Sequence, residues 1–326
     1  MNTKAHKMTP GKFMADWGAV TAILVAVIIF SVLEPRVFFN FDNMITILRT
    51  ISITAIIAIG ATFAFSTNTF DLSFAAVATL GAMFSVTFMA WYGIPLVPAL
   101  ILTVLACMVV GAINAVLAIK LRVPAFLATL AMMFILEGFA LTYSGGSIVN
   151  PRVPGMRGHA IVMEIPEFFW ELGRAPAIII IMFACIILAD LFMRKTKYGR
   201  FLYVVGANPE AARLSGIKVN HYRTLSFLAT AAFAAVGGIL IASRAGTVQI
   251  GAGAGFLMPS IAAVNIGIAL AGQKKPNAWG TFVGAALIGV IENGLFALAF
   301  PFQSINIVKG VILLAALVMS NYTRKE

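Results

Sequence analysis

Polar side chains within long apolar stretches are the residues of this sequence that could do chemistry. Three carboxylates, Asp71, Glu137 and Glu292, lie in or at the start of such stretches. A charged group at the centre of a membrane-spanning helix costs at least ~2.5–3.5 kcal/mol, so it turns inward or finds a partner. Neutral polar groups at the same depth hydrogen-bond neighbouring helices or contact a hydroxyl-rich solute. The candidate residues for lining a translocation path are Asp71, Ser73, Asn114, Thr129, Glu137, Asn265, Glu292 and Asn293.

Each of these residues also has a structural interpretation. Asp71 stands in the polar run 68–73, directly before an apolar stretch, where its carboxylate can accept hydrogen bonds from the free amides of a helix start. Hydrogen bonds within a helical bundle can equally hold Glu137 and Glu292. The neutral residues are suited to joining helices. The sequence therefore leaves both roles open, path or structure.

No pattern of catalytic or metal-binding residues is present. The histidines His6, His159 and His221 are scattered over separate polar segments, without the spacing of a metal site. The glycine-rich run 251–255 lacks the Lys-Ser/Thr pair of a nucleotide phosphate loop, and it predicts a flexible external turn. The sequence therefore predicts a protein that is not an enzyme and that holds no metal and no cofactor of its own.

The composition places the chain in a membrane. Of its 326 residues 61% are hydrophobic and 11% are charged, whereas a soluble domain has roughly 25% charged residues. A spanning helix needs about 20 apolar residues. We predict an all-α, polytopic membrane protein in which residues 1–326 form a single permease-type domain of about ten transmembrane helices. These helices are predicted near 17–33, 45–65, 70–90, 95–119, 123–143, 176–193, 223–243, 256–272, 279–299 and 305–320.

Basic residues give this arrangement an orientation. With ten spans, 16 of the 23 Lys and Arg share the side of the two termini. Cytoplasmic loops carry the excess of basic residues, so both termini are predicted to be cytoplasmic. The net charge of +11 is thereby explained by topology and contact with membrane lipid. It does not indicate nucleic-acid binding.

The external connection 144–175 is the longest on its side of the membrane. Its first half is rich in Gly and Pro, which argues against another spanning helix, and its second half carries three glutamates beside Phe168, Phe169 and Trp170. Such an acidic and aromatic segment suits a short helix at the membrane interface. It is either a lid over the helix ends or a docking surface for an external partner.

The internal connection 194–223 contains a short helix signal. Asn208 can cap free amides, Pro209 suits the first helical position, and Gly216 can adopt the left-handed conformation that ends a helix. A two-turn helix does not persist alone in water, so it packs against the bundle or a partner. The residues of this predicted cytoplasmic helix and its caps are Asn208, Pro209, Glu210, Ala211, Ala212, Arg213, Leu214, Ser215 and Gly216.

A short internal repeat is also visible. The segment 73–77, Ser-Phe-Ala-Ala-Val, echoes 260–264, Ser-Ile-Ala-Ala-Val, in two helices of opposite predicted direction. Inverted repeats of this kind are common in transporters. The chain is therefore a candidate for an inverted five-plus-five repeat.

Several motifs together resemble those of one transporter family, the permease subunits of bacterial ABC importers of the ribose and monosaccharide type. The wider family includes permeases for branched-chain amino acids and nucleosides. The matching motifs are Asp71-Leu72-Ser73, Val123-Pro124-Ala125-Phe126-Leu127-Ala128-Thr129-Leu130, Thr196-Lys197-Tyr198-Gly199-Arg200, the segment 206–217, Ile261-Ala262-Ala263-Val264, Gly280-Thr281 and Asn293-Gly294.

This resemblance implies partners and an energy source. The helix at 208–216 would dock on a separate ATP-binding subunit, which holds the ATP and Mg²⁺ and carries the ATPase activity. The external face, including 144–175, would receive a periplasmic substrate-binding protein, and a second permease subunit, identical or a sister chain, would complete the path. The location would be the bacterial inner membrane. The cargo implied is a monosaccharide, with a nucleoside, polyol or furanosyl signal as alternatives.

A different class of transporter remains open from the residues alone. Asp71, Glu137 or Glu292 could form the proton relay of an ion-coupled secondary transporter. Dependence of uptake on a proton gradient, or on an ATPase, separates the two classes.

Overall fold

The computed structural model describes residues 10–38, 40–146, 148–150, 163–269 and 275–301, together with residues 304, 305, 307, 308, 310, 311 and 314. Regular structure in these ranges is helical, and one isolated bridge joins Val149 to Val248. The helices are α1 (Pro10–Leu33), α2 (Pro35–Phe38), α3 (Phe41–Ser66), α4 (Phe74–Ala90), α5 (Leu96–Ala115), α6 (Ala125–Ser144), α7 (Glu167–Leu172), α8 (Ala177–Lys195), α9 (Lys197–Ala207), α10 (Pro209–Leu214), α11 (Val219–Ala245), α12 (Leu257–Ala269) and α13 (Ala278–Ala297).

The all-helical prediction is confirmed, and nine of the ten predicted spans coincide with described helices to within a few residues at most ends. Six helices are long and apolar enough to cross a membrane: Phe41–Ser66, Leu96–Lys120, Ala125–Ser144, Ala177–Lys195, Val219–Ala245 and Ala278–Ala297. Shorter apolar helices cover Thr21–Leu33, Phe74–Ala90 and Ala254–Ala269. The described residues of the predicted tenth span, between 304 and 314, are helical.

The start of α4 differs from the sequence prediction. The predicted span begins at residue 70, whereas α4 begins at Phe74. Asn68 adopts a positive φ of 53°, which turns the chain after α3. The Asp71 side chain then bonds to Ser73. The segment 67–73 is therefore a connection between two helices in which Thr67, Thr69, Asp71 and Ser73 are buried.

Two long helices, α3 and α11, form the centre of the bundle. The helices α4 and α5, which follow α3, pack mainly on α11, whereas α12 and α13, which follow α11, pack on α3. Glycine permits the closest approach: a Cβ at Gly238 of α11 would lie 2.2 Å from the carbonyl oxygen of Ala78 in α4. Close helix packing of this kind is typical of membrane bundles.

The described part of the external connection is folded against the bundle. A short helix, α7, is present in the second half of this connection as predicted, and its position at the membrane interface stays a prediction. Residues 147 and 151–162 lie outside the described residues. The Ser243 hydroxyl of α11 donates to the Phe169 carbonyl, and Val149 and Val248 exchange two backbone hydrogen bonds of 2.9 Å. This segment is therefore attached to the C-terminal end of α11 and to the residues that follow it.

The glycine-rich run 251–255 is not a free turn. The Gly253 amide donates to the Thr79 hydroxyl of α4 at 2.9 Å. A Cβ at Gly253 would lie 2.0 Å from the Ala75 carbonyl oxygen. The predicted turn is present, and at Gly253 it lies in close contact with α4.

Candidate translocation and coupling sites

Three of the predicted path residues form one buried hydrogen-bond network. The Asp71 carboxylate accepts from the Ser73 amide at 2.8 Å and from the Ser73 hydroxyl at 2.7 Å. The Asn114 carboxamide nitrogen of α5 donates to the same hydroxyl at 2.8 Å. Ser73 and Asn114 are 0% exposed, and Asp71 is 5% exposed. This network joins the 67–73 connection to α5.

Thr129 holds the same connection from another helix. Its hydroxyl in α6 accepts from the Leu72 amide at 3.1 Å, and it donates to the Ala125 carbonyl at 2.9 Å. The hydroxyl is thus used as both acceptor and donor, as its chemistry allows. Four predicted path residues, Asp71, Ser73, Asn114 and Thr129, therefore surround one connection.

A hydroxyl cluster beside this network was not predicted. The Thr67 hydroxyl pairs with that of Thr69 at 2.8 Å and donates to that of Ser226 in α11 at 3.0 Å. All three residues are buried. The polar run 66–71 between apolar stretches was the available signal for the two threonines. No sequence signal brings Ser226, 157 residues beyond Thr69, to the same place.

The other predicted path residues lie elsewhere. The Asn265 carboxamide of α12 donates to the Ile261 carbonyl one turn earlier at 2.9 Å. That of Asn293 in α13 donates to the Asn43 side chain at 3.0 Å. Glu292 is close enough to Arg244 of α11 to interact with it electrostatically. These residues do not join the Asp71 network.

Glu137 has a less enclosed position than Asp71. It lies in the second half of α6, is half-buried, and has neither a hydrogen bond nor an ion pair with a described residue. The adjoining Phe134 is 61% exposed, and no atom lies within 4 Å of a Cβ placed at Gly138. A carboxylate on such a face is unfavourable against lipid.

The predicted cytoplasmic helix is present as α10, with the predicted caps. The Asn208 side-chain oxygen accepts from the amides of Glu210 and Ala211, both at 3.0 Å. Pro209 is the first helical residue. Gly216 follows with a φ of +79°, the left-handed region that glycine occupies without strain. These local signals account for the helix and both its ends.

Most of α10 points away from the bundle. Ala212 is buried, whereas Leu214 is 91% exposed. Leu214 is therefore accessible from outside the bundle. The arrangement supports the predicted packing of one face on the bundle and leaves the other face free.

The neighbouring helix α9 connects α10 to the bundle interior. A Cβ at Gly206 would lie 2.1 Å from the Ser66 carbonyl oxygen at the end of α3. The Tyr203 hydroxyl donates to the Pro276 carbonyl at 2.7 Å, and burial raises the pKa of Tyr203 to about 12. The hydroxyl therefore remains protonated and able to donate at neutral pH. These contacts place α9 against both α3 and the segment leading into α13.

Asp190 and Arg194 form an ion pair of 2.8 Å one turn apart in α8. The described part of the chain contains no group of three or more metal-ligating side chains. The described residues therefore form a helical bundle with two notable polar features. One is the hydrogen-bonded connection 67–73, and the other is the short, largely exposed helix α10.

Comparison with known proteins identifies the family. Residues 43–317 match the model described as branched-chain amino acid transport system / permease component. The chain is 33% identical to the ribose import permease protein RbsC of Escherichia coli K12 over 95% of this chain and 94% of that protein. It is 30% identical to RbsC of Haemophilus influenzae over 99% and 98%.

Another relative is named for transport of a different sugar. The L-arabinose transport system permease protein AraH of Escherichia coli K12 is 29% identical over 97% of this chain and 93% of that protein. No solved structure matches the chain. Because the family model covers most of the sequence and the relatives align over nearly their whole length, the chain belongs to the family of branched-chain amino acid transport system permease components and is a multi-pass membrane transport protein.

Proposed function

We propose that this chain is the transmembrane permease subunit of an ATP-driven, binding-protein-dependent importer for a monosaccharide in the bacterial inner membrane. The observation that carries the proposal is α10, a locally capped helix whose Leu214 is 91% exposed, in a family of transport permeases. The relatives are named for ribose and L-arabinose transport, and another is named for xylose. ATP and Mg²⁺ belong to a separate ATP-binding subunit.

Packing supports ten spans with an inverted five-plus-five repeat. The two central helices exchange partners. The helices α4 and α5 follow α3 in the chain but pack on α11, and the helices α12 and α13 follow α11 but pack on α3. The echoing segments begin α4 and lie in α12. With the excess of basic residues on one side, both termini are cytoplasmic in this arrangement.

The solute path lies between this chain and a second permease subunit, identical or a sister chain. Glu137, on the open face of α6, faces that path, because a partner or water is a better environment for the carboxylate than lipid. A carboxylate accepts hydrogen bonds from sugar hydroxyls. The buried connection around Asp71 supports the inner end of the path. The other predicted path residues have roles within the bundle.

The external surface near α7 receives the substrate-binding protein. Glu164, Glu167 and Phe168 are exposed there. Phe169 is fully buried beneath them, and the Ser243 bond fixes its backbone. A firmly attached, acidic and aromatic surface suits a partner that docks and leaves.

Movement of α10 reaches the inner end of the path through α9. Gly206 touches the last residue of α3, and Thr67, the next residue, bonds to Thr69 and Ser226. A shift of α9 thus acts directly on the connection that carries Asp71. This is a short physical route from the ATP-binding subunit to the path.

The test is reconstitution of the full chain with the ATP-binding subunit and binding protein of its own transport system. Uptake of radiolabelled ribose, L-arabinose and xylose into proteoliposomes is measured with and without ATP. We expect uptake of one sugar that requires ATP and both partners, and we expect Leu214→Glu to abolish it. The control is Leu121→Glu, which alters a leucine 64% exposed outside α10.

Two outcomes contradict the proposal. Uptake by the chain alone that stops when the proton gradient is collapsed indicates an ion-coupled transporter. Uptake of a nucleoside or polyol in place of all three sugars retains the importer and overturns the monosaccharide assignment.

A further inference from the structure

A cavity of about 460 Å³ opens at the surface beside α10. Its walls come from two distant parts of the chain, α9 with α10, and the segment before α13. The lining residues are Arg200, Tyr203, Val204, Ala207, Asn208, Ala211, Ala212, Ser215 and Lys275. The cavity is therefore built jointly by the cytoplasmic helices and the α12–α13 connection.

The lining combines apolar side chains with two cations. Val204 and three alanines supply the apolar surface, and Arg200 and Lys275, both exposed, supply the positive charge. No carboxylate lines the cavity. Neither Arg200 nor Lys275 forms an ion pair with a described residue, and residues 270–274 contain no acid.

The wider surroundings are also basic. The connection 194–223 contains seven Lys or Arg residues and a single acid, Glu210. Glu210 belongs to α10 but is not part of the cavity lining. The positive charge of these residues thus favours an anionic group from another molecule. The apolar lining residues accommodate the carbon stem of its side chain.

The two walls are already tied together at the base. The Tyr203 hydroxyl, from α9, donates to the Pro276 carbonyl next to Lys275. The Lys275 ammonium lies 5.9 Å from the centre of the Tyr203 ring. An occupant of the cavity would therefore contact α10 and the start of α13 at once.

We propose that this cavity receives the carboxylate side chain of an Asp or Glu from the ATP-binding subunit, held between Arg200 and Lys275. The inference rests on the proposed function and adds a second contact point to it. The ATP-binding subunit then acts on α9 and α10 and also on the α12–α13 pair. That pair packs on α3, whereas α4 and α5 pack on α11. Both halves of the bundle are linked to one nucleotide-driven movement.

The test uses the full chain purified in detergent and titrated with the purified ATP-binding subunit of its transport system. Lys275→Glu and Arg200→Glu should each weaken binding about tenfold or more, because an attraction becomes a repulsion. Lys195→Glu makes the same charge change at an exposed residue outside the cavity, and it should change binding less than threefold. Lys275→Gln should fall between wild type and Lys275→Glu.

A second measurement does not depend on charge. With Val204→Cys, at an exposed residue of α9 outside the docking segment 208–216, the ATP-binding subunit should slow maleimide labelling of the thiol, which lines the cavity. Labelling unchanged by saturating partner, or equal weakening by Lys195→Glu and Lys275→Glu, overturns the cavity proposal while the importer stands. Failure of the wild-type chain to bind any ATP-binding subunit overturns the proposed function itself.

Discussion

Two short polar segments, 67–73 and 208–216, lie on either side of the α9–α3 contact, yet their polar groups are satisfied in opposite ways. In 67–73 the side chains bond to α5 and α11, and the Leu72 backbone amide donates to the Thr129 hydroxyl of α6. In 208–216 the cap bonds stay within the segment, and most side chains are exposed. A segment bonded to three helices stabilises the whole bundle, whereas a self-contained one is free to serve as a docking element.

The largest difference between the two segments is expected from removal of a serine hydroxyl. Ser73→Ala removes the donor to Asp71 and the acceptor for Asn114. We expect a loss of about 1–3 kcal/mol in the free energy of unfolding for each buried group left unpaired. The matched change, Ser215→Ala at an exposed position, should stay within about 0.5 kcal/mol. Unfolding in SDS followed by circular dichroism measures both, and equal losses contradict the comparison.

The contact between the segments is tested by Gly206→Ala. The added methyl group meets the Ser66 carbonyl oxygen at the end of α3, and overpacking of this kind costs about 1–3 kcal/mol. ATP-dependent uptake should fall together with stability, because α9 is pushed away from the 67–73 connection.

Gly255→Ala is the control for that prediction, since no atom lies within 4 Å of a Cβ at Gly255. The thermal midpoint in detergent and the uptake rate should both remain near wild type for this variant. A Gly206→Ala protein with unchanged stability and full uptake would show that the route through α9 is wrong.

The smallest expected effect is from Asn208→Ala. Loss of the cap costs about 1 kcal/mol of local helix stability, but global unfolding should not change, because α10 contributes only Ala212 to the buried interior. Hydrogen exchange at the amides of Glu210 and Ala211 should accelerate about fivefold. Asn220→Ala, at an exposed residue, is the control. If Asn208→Ala lowered the free energy of global unfolding, segment 208–216 would stabilise the bundle as 67–73 does, and the comparison would be wrong.

The cap residues also show what could be predicted locally. Asn208, Pro209 and Gly216 act within a few residues of themselves, so their roles follow from backbone geometry and the helix ends are found from sequence. The family resemblance is likewise confirmed by the match over 43–317. The identity of the solute and the arrangement of two permeases stay predictions.

The contacts of the path residues were harder to predict from the sequence, because a polar side chain in an apolar helix can reach several different partners. Asp71 bonds to Ser73 as its spacing allows, but the contact of Asn114 with that serine spans 41 residues. In the sequence, Lys275 counts only as one of the 16 basic residues on the side of the termini. Its place in a cavity with Arg200 depends on how α9 meets the segment before α13. Such pairings depend on how the helices cross.

The sequence by itself determined that this chain is a helical membrane protein, where most of its helices lie, and how α10 is capped. These properties depend on apolar length and on interactions between near neighbours in the chain. Tertiary structure alone decided that 67–73 bonds to three helices, that Glu137 lies on an open face, and that α4 and α5 pack on α11. Helices of similar apolarity offer many packing arrangements, and only the fit of glycines, hydroxyls and bulky side chains between them selects one.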